Sequence, residues 1–472
     1  MRLTPTLIAL LAFSGSAFSA ERWIKVTAPH FELDTQLDRQ QALEALRIFE
    51  QARTFFLQVG FSQATLGESV RIVDLGSDSE YRSYLVKPGA YAMYQRGRRG
   101  NYIVMRSLNN GHYEVAVHEY THFVMDHAGL KLPIWLNEGL AELYSTLNPQ
   151  GEQCLIGLPQ PGRLATLAAQ RRLDLATLFA VDAASPYYNN PDRMPIFYAE
   201  SWALTHMLAI SEDYSRRFNA FVSMVSSGRP VPEVLRVVYG KELSNVERDL
   251  NEYLQRRTLP ALLYDIRVES TLAQATVTPL PKAELDLSVA DLLSSNASAG
   301  PEAEAKVLEL ASAHPGDAGF EESLGYLALR KNQTDEARVH FGNAVERQSN
   351  DPVTIYNSAR LQQDAGAPAS QVIPMLERAL ALNPDYEPAR LDLGFTAANA
   401  KQFDLAVSTF SQLKSIEPKL AFEVYFSMAY CDLELRRLQD ARTYAGEAQQ
   451  RARTAEQQNR VSNLVRFIDR QE

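Results

Sequence analysis

The stretch Gly394–Pro418, GFTAANAKQFDLAVSTFSQLKSIEP, decides how the last part of the chain folds. It sets a glycine at 394, an alanine at 406, a phenylalanine at 410 and a proline at 418, and this order recurs along the sequence. The small residues Gly325, Ala359, Gly394 and Ala429 follow one another at intervals of 34, 35 and 35. Ala337, Ala406 and Ala441 keep step with them, Phe341 and Phe410 come four residues after their alanines, and Pro384 and Pro418 close two of the units. A period of this length implies two antiparallel helices per unit. Small residues let the two helices approach closely, and large ones fill the space between units. One unit cannot bury its apolar face alone, so several must stack.

The pattern resembles the tetratricopeptide repeat. The resemblance covers four units over about Asp317 to Ala452, with Glu302 to Ala313 as a preceding half-unit and Thr454 to Asp469 as a capping helix. The second unit departs from it, with Gly366-Ala367-Pro368 at its turn and Val372 where alanine is expected. The resemblance implies an all-α solenoid that binds a protein partner.

The whole chain has 472 residues, too many for one ordinary core. Hydrophobic residues make up 46% and charged residues 22%, which suits a soluble globular protein and argues against wholesale disorder. A net charge of −10 disfavours nucleic acid as a partner, because phosphate binding needs clustered positive charge. At the N-terminus Arg2, the apolar run Leu7–Phe13 (LIALLAF) and the small-residue end Ala17-Phe18-Ser19-Ala20 read as a secretory signal peptide. Export, to a bacterial periplasm, is the expectation. No later apolar run is long enough to span a bilayer, so no mature transmembrane segment is expected. Cys154 and Cys431 are expected to remain unpaired thiols in different domains.

Ahead of the repeats the signals are mixed. Trp23 to Leu33, Ser69 to Val73 and Asn101 to Met105 read as strands, and Asp38 to Val59 as a helix. From Tyr113 to Arg257 the pattern is mainly helical. The expected organisation is a signal peptide over 1–20, an α+β domain over 21–262, a linker with short strands over 263–300, and the repeat domain over 301–472.

Within the α+β domain stands His118-Glu119-Tyr120-Thr121-His122. Two histidines four residues apart on a helix share one face and converge on one metal ion. Glu119 points about 100° away round the helix, towards water on the metal rather than the metal itself. Zinc makes bound water acidic, and a carboxylate so placed takes its proton. Tyr113 to His127 contains no glycine or proline to interrupt the helix. A third donor is needed, and Leu132–Glu142 (LPIWLNEGLAE) offers Glu138 and Glu142.

Together these two segments resemble the gluzincins, the zinc metallopeptidase clan that includes thermolysin and the large zinc aminopeptidases. The motifs span about Val115 to His206, and Trp135-Leu136-Asn137-Glu138-Gly139 is especially similar to the aminopeptidases' glutamate-ligand helix. The resemblance implies Glu138 as third zinc ligand and Glu142 as a hydrogen-bond partner of a ligand histidine. Fifteen residues separate His122 from Glu138, fewer than usual in the clan, whereas Glu142 falls at nineteen. Spacing alone would choose Glu142; the Asn-Glu-Gly context and helix phase favour Glu138. The same mapping offers Tyr198 as donor to a developing oxyanion, against a tyrosine that merely packs at a helix start. His206 is read as an ordinary half-buried histidine, and Asp126 and His127 as structural. No Gly-x-Met-Glu-Asn strand precedes His118, which leans towards an endopeptidase with Asn101–Met105 pairing antiparallel to an extended substrate.

The functional expectation is therefore an exported zinc peptidase, an enzyme acting on protein or peptide substrate through zinc-bound water activated by Glu119. The alternative is an interaction or adaptor protein in which the repeats carry the function and the zinc site is vestigial.

Overall fold

The computed structural model describes residues 23–62, 66–84, 90–108, 113–150, 152–266, 271–296 and 300–471. The targeting segment read over 1–20 lies outside them. The chain divides after Leu292 into two compact units. Among the described residues no helix is long and apolar enough to cross a membrane.

The first unit is built on strands β1 (Ile24–Thr27), β2 (Phe31–Thr35), β3 (Val70–Asp74), β4 (Ala92–Arg96), β5 (Asn101–Met105), β6 (Asn148–Gln150), β7 (Gln153–Ile156), β8 (Leu262–Asp265) and β9 (Thr276–Pro279). A six-stranded mixed sheet runs β4-β5-β3-β2-β1-β9, and a smaller sheet runs β6-β7-β8. The β2–β3 and β3–β5 pairs are parallel and the rest antiparallel. Alternation along the strands separates two faces. Val26, Phe31, Leu33, Ile72 and Ile103 lie in one apolar core with Phe49 and Phe56 of the helix Arg39–Gln58 and with Tyr120 and Phe123 of the helix Tyr113–His127. The long helix begins at Asp38, whose carboxylate accepts from the Gln41 amide.

The opposite face carries Lys25, Glu32, Asp34 and Arg71, and the helix Lys282–Ser295 covers it. Arg71 donates to Ser288 at 2.9 Å, Tyr102 to Asp291 at 3.0 Å and Tyr84 to Asp286 at 2.7 Å, while Lys25 pairs with Glu284. The short strands expected within 263–300 are present, as β8 paired with β7 and β9 at the sheet edge beside β1, but the described residues there are built into folded elements, with a helix following, rather than forming a linker. Short edge strands with proline have the composition of linkers, and only pairing tells the two apart.

A second correction concerns β5. It was expected to pair with an extended substrate, but it lies between β4 and β3, paired on both sides and buried along its length. Its backbone hydrogen bonds are committed. The sheet edge there is β4, which the sequence reading missed.

The second unit is helical. Four A helices (Ala318–Arg330, Pro352–Asp364, Glu387–Asn399, Ala421–Glu434) alternate with four B helices (Thr334–Glu346, Ala369–Leu382, Phe403–Phe410, Leu438–Arg451). Pro301–Ala313 precedes them and Ala455–Asp469 follows. The backbone keeps the same register as the sequence. Asn332, Gly366, Lys401 and Arg436, spaced by 34, 35 and 35, all take left-handed φ values of 58°, 86°, 61° and 63° at the turn from A to B. The irregular second unit uses the glycine here, and its extra residue falls between this turn and Val372. This is a tetratricopeptide-like solenoid.

The register residues explain the packing. A Cβ added at Gly325 would stand 2.6 Å from the Phe341 ring, and one at Gly394 would stand 2.5 Å from the Phe410 ring. In the second and fourth units the small residue is alanine, and the ring position holds Leu376 and Ala445 instead. Glycine appears where phenylalanine needs the room. Gly394→Ala is expected to destabilise the protein by about 1–3 kcal/mol. Phe410→Leu in the same chain should recover part of that loss, giving less than the sum of the single effects in denaturant melts.

Asp34 supplies a pH signature. Burial pushes its carboxyl up to about 6, with Arg71 and Lys25 opposing and Glu284 and Glu32 adding to the rise. The unfolded chain ionises this group near its ordinary value of 3.8. Its contribution to stability is therefore greatest below that value and is lost as pH rises through about 6. Asp34→Asn is expected to stabilise the chain at pH 7 by up to about 3 kcal/mol. The gain should vanish below about pH 4 in the same melts.

Candidate metal centre

The helix Tyr113–His127 carries His118 and His122 on one face, and the helix Ile134–Ser145 presents Glu138 to them. Pro133 precedes the second helix in extended conformation and sets where it starts. His118 Nε2 and His122 Nε2 stand 3.1 Å apart. Glu138 Oε2 lies 3.3 Å from the first and 3.6 Å from the second. Three atoms bound tetrahedrally at about 2.05 Å to one zinc ion would stand about 3.3 Å apart. Glu138 is 5% exposed, and its Oε2 has no hydrogen-bond partner. A buried, unpartnered carboxylate oxygen beside two imidazole nitrogens is a donor set that fits a divalent cation.

Neighbouring groups orient the ligands. His122 Nδ1 donates to Asn137 Oδ1 at 2.7 Å, which leaves Nε2 as the acceptor nitrogen. Glu142 lies behind His118, with Oε1 3.5 Å from Nδ1. Arg163 grips the same carboxylate, donating at 2.9 Å from Nε and 2.5 Å from Nη2. Glu138 thus joins the histidines, and Glu142 stands one layer back. Glu119 is turned elsewhere, and its Oε2 accepts from the Tyr94 amide of β4 at 2.6 Å. Glu119, Glu138 and Glu142 stand against one guanidinium, Arg163, an excess of carboxylates that suits a divalent cation. Burial alone would raise the Glu138 carboxyl, but His118 and His122 more than offset it and hold it well below the usual carboxylate range.

Tyr198 lies close but touches no ligand. Its ring stacks against the Arg163 guanidinium at 5.3 Å, and among the described residues its hydroxyl has no hydrogen-bond partner. Burial, then the charge of Glu138, keeps that hydroxyl protonated. Tyr188, which the sequence reading missed, does touch a ligand: its hydroxyl donates to Glu138 Oε1 at 3.0 Å. It sits in the short helix Pro186–Asn189 of a proline-bounded segment, where no spacing marks it.

His206 is corrected from half-buried to wholly buried, with both nitrogens engaged by Tyr253 Oη and the Gly157 carbonyl at 2.8 Å each. It ties three segments together away from the metal ligands. His127 pairs with Glu68 at 3.2 Å, and Asp126 accepts from Tyr94 Oη at 3.2 Å, so both serve a surface network. Cys154 and Cys431 are buried, free thiols.

Gly139 explains why the glutamate helix sits where it does. A Cβ there would stand 2.1 Å from Thr205 Oγ1 and 2.5 Å from the Ser201 carbonyl of the helix Met194–Ile210. The two helices meet backbone to backbone beside Glu138.

No known protein-family model matches the chain, and neither does any curated protein. Among solved structures it is similar to YrrB, "a TPR protein with an unusual peptide-binding site", at 20% identity over 37% of this chain and 89% of that one, with a TM-score of 0.32. It is also similar to PilW, a widely conserved type IV pilus biogenesis factor, at 16% identity over 39% and 87% of the two chains, with a TM-score of 0.27. A third is a thermophilic TPR protein of Thermus thermophilus, at 18% identity over 39% and 98%, with a TM-score of 0.23. YrrB and the Thermus thermophilus protein are TPR proteins. The expectation of an exported zinc-dependent peptidase is accordingly corrected in favour of its alternative, the interaction or adaptor reading.

Gly139→Ala should displace Glu138 and cost about 1–3 kcal/mol of stability. In competition titrations with a zinc-sensitive dye it should also weaken metal binding by about tenfold or more. Unchanged zinc affinity in a folded variant would count against this account of how Glu138 is held.

Proposed function

We propose that the chain is a repeat-based interaction or adaptor protein whose second unit binds a protein partner. The observation that carries this reading is the run of four helix pairs held in one register of sequence and backbone. Stacked units of this kind present one continuous face built from equivalent positions, which suits an extended partner.

For the first unit, the reading is a gluzincin-like domain with a vestigial centre that holds zinc through His118, His122 and Glu138. The ligand spacing and the unpartnered Glu138 oxygen support it. Zinc bound there would supply a Lewis-acidic positive charge. This chain's own residues orient and neutralise: Asn137 and Glu142 fix the imidazoles, Tyr188 steadies Glu138, and Arg163 offsets Glu142. Export to a bacterial periplasm is part of the same proposal and rests on Arg2, the apolar run and the small residues that follow.

A photo-crosslinking residue at the exposed position Arg360 of the full chain, in its own cells, should give a discrete protein adduct. The same residue at the exposed Val237 of the first unit should give none. Purified protein should hold about one zinc ion, lost in His118→Ala and in Glu138→Gln. Chelator-sensitive cleavage of casein that disappears in Glu119→Gln would overturn this reading.

A further inference from the structure

The residue following each small register residue is Tyr326, Arg360, Phe395 or Tyr430. One helical turn earlier stand Tyr356 and Phe426 in the second and fourth units. The A helices that carry them lie side by side. Asn357 Nδ2 donates to Tyr326 Oη at 3.0 Å between the first and second, and Thr396 Oγ1 donates to Gln363 Oε1 at 3.4 Å between the second and third. Equivalent positions therefore form rows across the unit.

These rings are incompletely covered. Tyr326, Tyr356, Phe395 and Phe426 are half-buried and Tyr430 is 41% exposed; the Arg460 guanidinium, paired with Glu423, already stands over the Phe426 ring at 4.5 Å, so the open rings are the other four. Three of the rings are braced from behind by another ring: Phe341 at 5.0 Å for Tyr326, Phe410 at 5.0 Å for Phe395, and Phe422 at 5.7 Å for Phe426. Braced rings lose little further entropy on binding. The charge around them is acidic. Asp364 and Glu434 stand one turn after the row of Arg360 and Tyr430, and Asp392 faces Tyr356 from the neighbouring helix. Arg360 acts on Asp392 together with Asp364, so one cation meets two carboxylates there, and Glu434 acts on Tyr430. The other cation of these rows, Arg330, is already taken by Glu304 at 3.5 Å.

We propose that this face binds an extended peptide segment in which lysine or arginine is interspersed with apolar residues or proline. An aromatic ring beside a carboxylate attracts a cation twice, through the ring's quadrupole and through the charge. Between the cations, apolar side chains and proline rings cover the remaining aromatic surface. The inference rests on the interaction reading of the second unit and adds to it the chemical class of the partner.

The test uses the full chain and two short fluorescein-labelled peptides, one repeating Lys-Pro-Leu and one repeating Glu-Pro-Leu, read by fluorescence anisotropy. The lysine peptide should bind about tenfold or more tightly than the glutamate peptide, and the difference should shrink at high salt. Tyr430→Ala and Glu434→Lys, both at exposed positions, should each weaken the lysine peptide about threefold to tenfold with helicity and Tm unchanged. Equal binding of the two peptides, preference for the glutamate peptide, or no effect of either variant would overturn the proposal. Adducts from Arg360 in cells together with such a result would leave the interaction reading standing and remove only the peptide class. Loss of both would remove the reading itself.

Discussion

Close approach of helices at a glycine is the constraint on which both units depend. Gly139 lets the glutamate helix lie against the Ser201 carbonyl and Thr205, and Gly325 and Gly394 admit the rings of Phe341 and Phe410. In each place a single methyl group would enter occupied space. A helix loses conformational entropy at every interior glycine, so the residue persists only where contact returns more than it costs. In the first unit that contact sets the position of Glu138. In the second it sets the spacing of helix pairs, and with it the rows of side chains along the A helices.

Buried charge is handled differently on the two sides of the first unit. Around the histidines, carboxylates outnumber cations, and Glu138 keeps one oxygen without a hydrogen-bond partner. Behind the sheet, Lys25 and Arg71 meet Glu32, Asp34 and Glu284 beneath the helix Lys282–Ser295, and the charges nearly balance. The first arrangement is complete only with an added cation. The second is paired within the chain except at Asp34, whose two buried oxygens lack hydrogen-bond partners and which is costly to ionise. An intact set of donor atoms is a statement about what a site can hold. It is not a statement about turnover, and the interaction reading assigns the biological work to the repeats.

Legibility in the sequence followed the range of the interaction. The repeat period, the pairing of His118 with His122 and the choice of helix for Glu119 all depend on residues within one helix or one unit, where covalent spacing sets the geometry. Tyr188 reaches Glu138 across fifty residues, and Arg163 reaches Glu142 across twenty-one. Such contacts leave no periodic trace. The strand β4 was missed, and β8 and β9 were expected only as strands of a linker, for the same reason, since a short strand is defined by its partner more than by its own residues.

By itself, then, the sequence determined the helical phase of the candidate ligands, the two-helix repeat and its register, and the acidic balance that disfavours nucleic acid. Tertiary structure decided which of two glutamates one turn apart stands with the histidines, because the packing at Gly139 places Glu138 there and leaves Glu142 to His118 and Arg163. It also decided that β5 lies inside the sheet and that Thr276–Pro279 forms an edge strand of the first unit's sheet. Spacing along a chain fixes angles around one helix. Only packing between elements fixes which of several well-spaced side chains arrives at the same point.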